Sequence, residues 1–203
     1  MPGACALRVE ARSNLLTDLV AQIRDAIEVR IDPATGRPLS FSKRLHEGDA
    51  HREFEVLYLW NAGTSRQDAG GGAPLFLAGG GRYDPLSVLY HFRYRPYAFA
   101  GTVAALPVSD GKRVGEARAV YVGRETLHMA GRFIDVLAFD YDQGGTDGLF
   151  RMAPGASVRL WVTNDAMRIP VLIRARIVIA GFQGEFTGML LRAEQDGKTV
   201  LEF

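Results

Sequence analysis

A single cysteine, Cys5, leaves the chain without an internal disulfide. Reduced and exported proteins can both lack one, so this absence decides nothing about compartment. Long apolar runs are missing as well, and no stretch approaches the roughly 18 uninterrupted apolar residues of a membrane-crossing helix. Charge excess is absent: 24 Lys+Arg against 23 Asp+Glu leave +1, so no global field draws the chain to nucleic acid or to other strongly charged partners. Catalytic signatures are lacking too. Gly70-Gly71-Gly72 and Gly79-Gly80-Gly81 fit neither a dinucleotide fingerprint nor a P-loop, and no G-x-S-x-G elbow presents a serine nucleophile. The sequence therefore points to no enzyme and no cofactor.

What is present is length and alternation. With 203 residues, 47% of them hydrophobic, the chain can fill one core, and residues 1–203 read as a single β domain. From Leu19 to Ile31 apolar residues occupy most odd positions, which favours a strand, although Leu16, Leu19, Val20, Ile23 and Ile27 also fit a helix. Leu39, Phe41, Lys43 and Leu45 lead through Glu47-Gly48-Asp49 to Phe54, Val56, Tyr58 and Trp60 as a hairpin. Later strands are expected at 103–108, 117–122, 132–139, 158–163, 169–179, 182–191 and 199–203.

Between the two β blocks, residues 63–83 read as a long Gly-rich loop around the apolar island Leu75, Phe76 and Leu77. Asp84 is placed as an N-cap and Pro85 as the first helical residue, with Leu86, Leu89, Tyr90 and Arg93 on one side of a helix near residues 85–94.

Metal and catalytic candidates are weak. His46 and His51 flank Asp49 on a turn, but two imidazoles without a third convergent ligand are more often solvated. Asp140, Asp142 and Asp147 lack the spacing and closing Glu of a calcium loop, so no metal is expected. Asp165 and Arg168 form a polar pair on a tight turn, read either as an anchor at a barrel mouth or as turn chemistry plus apolar cover. Cys5, after small residues, has neither the basic start nor the apolar core of a lipoprotein signal before it and reads as a frayed start.

Asp84-Pro85-Leu86-Ser87 with Tyr90 and Arg93, then Gly123-x-Glu125, and above all Trp161-Val162-Thr163-Asn164-Asp165-Ala166-Met167-Arg168-Ile169-Pro170 resemble the bacterial family called domain of unknown function 3108. The resemblance implies a mainly β fold, an antiparallel meander curling into an open barrel-like shell with one short helix. It also implies location in the periplasm or at the outer membrane of Gram-negative bacteria, and it implies no activity. Members usually begin with a signal peptide and a further hairpin before the segment Leu7 to Ser13, so a start site assigned too late is expected here, with a shortened paralogue as the alternative.

Two functions follow as expectations. The first is a non-catalytic envelope protein whose apolar groove holds a lipid or other apolar small molecule. Leu75, Phe76, Leu77, Leu86, Leu89 and Tyr90 would cover Trp161, with Arg93, Asp165 and Arg168 at the mouth. The second is a structural or interaction module with a filled core, which meets an envelope protein partner through a surface or an edge strand. Cavity volume separates them.

Overall fold

The computed structural model describes residues 5–12, 24–32, 34–47, 50–67, 75–76, 83–111, 113–146, 158–179, 182–190, 192–195 and 198–203. Strands β1 (Cys5–Arg12), β2 (Arg24–Ile31), β3 (Pro38–Glu47), β4 (Ala50–Leu59), β5 (Thr64–Gln67) and β6 (Leu75–Phe76) form one antiparallel sheet in sequence order. A second six-stranded meander holds β7 (Val103–Ser109), β8 (Val114–Met129), β9 (Arg132–Asp142), β10 (Val158–Thr163), β11 (Pro170–Ile179) and β12 (Phe182–Met189). A separate hairpin joins β13 (Arg192–Gln195) to β14 (Lys198–Glu202). The fold is mainly β and antiparallel, and neither meander closes on itself among the described residues.

Period-two alternation explains the first sheet. Ile27, Val29 and Ile31 of β2 are buried while Arg30 is exposed, and the register sets Val29 opposite Phe41 and Phe41 opposite Val56 in one dry row. In the second sheet Ala119, Tyr141, Val158 and Ala175 stand in a row across β8 to β11. Both rows belong to one buried cluster.

Between them lies α1 (Ser87–Phe92), six residues rather than the ten expected: Pro85 and Leu86 form a turn, so Leu86 rather than Asp84 is the N-cap position and Ser87 rather than Pro85 opens the helix. Its end tightens into bonds from the Tyr94 and Arg95 amides to the His91 and Phe92 carbonyls, and Pro96 disfavours helical geometry at Arg95. Burial also departs from the one-sided expectation. Leu86, Val88, Leu89 and Phe92 are all buried, because a short helix wedged between two sheets packs on more than one face, while Tyr90 and Arg93 remain half-buried.

The connection expected at 63–83 is not wholly loop. β5 and β6 extend the first sheet there, since backbone amides pair whatever the side-chain pattern. Cys5, read as part of a frayed start, opens β1 opposite Ile31. The helical alternative for Leu15 to Ile31 fails over 24–31, which is strand, and its remainder lies outside the described residues.

Candidate functional site

Asp84 ties α1 to the core. Its Oδ1 accepts the Leu86 and Ser87 amides at 2.8 and 3.0 Å, and its own amide donates to Ser87 Oγ at 3.0 Å, a reciprocal cap with Ser in place of the usual Glu. The carboxyl is fully buried and Oδ2 has no hydrogen-bond partner among the described residues. Burial pushes its pKa up to about 6 against the lowering effect of those bonds. Tyr58 and Tyr141 flank it. Both phenols are held above their ordinary range, first by burial and then by the Asp84 charge, and Tyr58 donates to the Ser109 carbonyl at 2.9 Å.

The other end of α1 is tied to the β2–β3 turn, to the loop that follows the helix and to the turn between β10 and β11. His91 Nε2 lies 2.7 Å from the Gly36 carbonyl, where Gly36 has φ +68° and an added Cβ would strike the imidazole. Tyr97 donates to the Phe92 carbonyl at 3.0 Å, and burial pushes that phenol up to about 12. Arg168 donates to the Arg93 and Arg95 carbonyls at 2.8 Å each, satisfying acceptors that the short helix leaves open.

Arg168 can do so because Asp165 shapes its turn. Asp165 Oδ1 accepts Thr163 Oγ1 and the Met167 and Arg168 amides, all at 2.9 Å, and Arg168 takes φ +45°. The turn reading of Asp165 is what the geometry contains. Arg168 serves as a cap on α1 rather than as apolar cover.

Arg93 stacks over Tyr90 and Tyr94 at 4.4 and 4.8 Å from the ring centroids and donates to Tyr94 Oη at 2.7 Å. Beyond it the chain projects: Tyr94, Arg95, Pro96 and 98–101 are exposed, and Phe99 is 71% exposed. Thr102 Oγ1 bonds the Phe99 carbonyl at 2.6 Å and the Gly101 amide bonds the Tyr121 carbonyl at 2.7 Å, so the base of this loop is fixed. The expectations from sequence did not include Tyr94, Arg95 and Phe99. The signal available was a stretch, Arg93 to Val103, with two arginines, three aromatic residues and no acid.

The cover expected over Trp161 is not assembled. Leu86 and Leu89 lie between the sheets, whereas Trp161 belongs to a second cluster with Val136, Ala138 and Val171. Alternation is the reason: Leu160 and Val162 face α1, so Trp161 between them faces away, donating to Glu125 Oε2 at 2.8 Å. Leu75 and Phe76 are paired in β6, and Leu77 lies outside the described residues. His46 and His51 face each other across β3 and β4, ring centroids 4.4 Å apart, and among the described residues no group of three metal-ligating side chains converges. Asp140 is engaged by Arg159, and Asp142 by the Gly144 amide.

Fold and site together define a two-sheet antiparallel β protein organised around a capped Asp84 helix. The family model described as Protein of unknown function (DUF3108) matches residues 5–187, and the chain belongs to that family. Neither a curated relative nor a solved structure matches the chain.

Proposed function

We propose that this chain is a non-catalytic module of the Gram-negative cell envelope that works through its surface rather than by enclosing a ligand. The observation that carries this reading is how little space the described residues leave between α1 and the second sheet. The cavity between α1 and the second sheet, lined by Leu89, Phe92, Arg93 and Tyr141 among others, is about 10 Å³, room for one water. Pockets for small organic ligands run to about 300–1,000 Å³. An acyl chain would have to displace Phe92 or Leu160, which are buried. Placement in the envelope rests on the family resemblance.

Native mass spectrometry of the protein purified from a Gram-negative envelope tests the reading. The expected mass is that of the bare chain. A stoichiometric lipid adduct that survives purification would overturn it in favour of the container, and recovery only from the cytosolic fraction would overturn the placement.

A further inference from the structure

We propose that the projecting loop Tyr94–Val103, with Arg93 and Arg168 at its base, docks the protein on the surface of a bilayer that carries anionic lipid. The proposal rests on the surface-acting reading above and names what that surface meets.

Charge is the first argument. Several exposed arginines elsewhere are paired with carboxylates, Arg8 with Glu10, Arg44 with Glu53, Arg118 with Glu116 and Arg124 with Asp135. Arg93, Arg95 and Arg168 have no carboxylate within ion-pair distance among the described residues, although the Arg168 guanidinium holds the Arg93 and Arg95 carbonyls. Three cations thus gather at one end of α1. With a net charge of only +1, the chain has no long-range pull of its own, so the attraction is local and requires close approach.

Apolar chemistry is the second. Phe99 is 71% exposed, Val103 55% and Tyr94 54%, on a loop that also presents Pro96, Ala98 and Ala100. An exposed apolar and aromatic loop flanked by arginines suits a planar interface. Aromatic rings and guanidinium groups side by side are the combination that sits at headgroup depth, rings toward the acyl boundary and cations among the phosphates. The loop is also pre-formed, fixed through Thr102, Gly101 and Tyr97, so docking orders little new chain.

Vesicle flotation tests this on the intact chain. Vesicles of phosphatidylcholine with about one third phosphatidylglycerol should carry the protein at low salt, and phosphatidylcholine alone should carry little. Raising the salt should release it, and phosphate should release it no more than chloride of equal ionic strength. Arg95→Glu and Phe99→Ser should each weaken partition about tenfold or more. Neither side chain is in the core, and circular dichroism should confirm that both variants fold. Phe133→Ser, at a residue 81% exposed near the start of β9 and outside the loop, should float like the wild type. Phe99→Trp should gain a blue-shifted emission component only with the anionic vesicles.

No flotation at low salt, or equal flotation of wild type, Arg95→Glu and Phe99→Ser, would overturn the proposal. Binding to polyglutamate without binding to vesicles would overturn it in favour of an acidic protein partner. A lipid adduct in native mass spectrometry bears on the filled-core reading alone, so the two failures are distinguishable.

Discussion

Asp84 keeps an ionisable carboxyl in the dry centre of the protein, and its linkage to stability has a definite sign. Unfolded, such a group titrates near 3.9; folded, burial holds it at about 6. Because the folded state binds the proton more tightly, this contribution is full below about pH 4 and is lost as pH rises from about 4 to about 6. Two units correspond to about 3 kcal/mol. Asp84→Asn keeps an oxygen for the Leu86 and Ser87 amides but cannot ionise. Between about pH 4 and about pH 7, the stability difference measured by urea unfolding should therefore move by about 2 kcal/mol in favour of the variant. A difference that stays constant over that range would show that Asp84 is already charged at pH 4 or never becomes so.

α1 owes its length to its surroundings. Six residues are too few for a stable isolated helix, so it persists through the Asp84 cap at one end and through Arg168, Tyr97 and His91 at the other. The β8–β9 hairpin offers a sharper test of local chemistry. Its two-residue turn holds Ala130 at φ +47° and Gly131 at φ +76°, the left-handed pair of a type I′ turn. Alanine is strained there and asparagine much less so. Ala130 is exposed, so Ala130→Asn should stabilise the protein by about 1 kcal/mol, read as a rise in thermal midpoint of a few degrees. An unchanged or lower midpoint would mean that the turn relaxes in solution.

Both sheets contribute to one buried cluster, Phe41 and Val56 from the first and Phe139 and Leu160 from the second, with Val88 and Phe92 between them. Such shared burial should make the chain unfold as one unit. Two tryptophans can report it. Trp60 stacks on Tyr58 beside the first sheet, and Trp161 lies in the second cluster on the far side of the other. In denaturant, Trp60→Phe and Trp161→Phe should show transitions that track circular dichroism of the same variant. Fluorescence that departs from circular dichroism in either variant would mean two separately folding layers.

Local pattern determined the strands, because a pleated chain with one buried face must alternate, and β2, β3 and β4 do so in the sequence itself. Asp84 fixed the turn that leads into the helix, and Asp165 the turn it shapes, since both act on amides two or three residues away. Contacts between distant segments decided the rest. β6 exists because β5 offers it backbone partners. Trp161 faces away from α1 because of the face its neighbours take in the core, and only the packing of the sheets says which face that is. Arg168 reaches carbonyls more than seventy residues back, and Arg95 and Phe99 stand out only once the loop between α1 and β7 is known to project. Periodicity reports which side chains share a side of one element; which sides meet, and what remains exposed, depends on pairings that residues close in sequence do not encode.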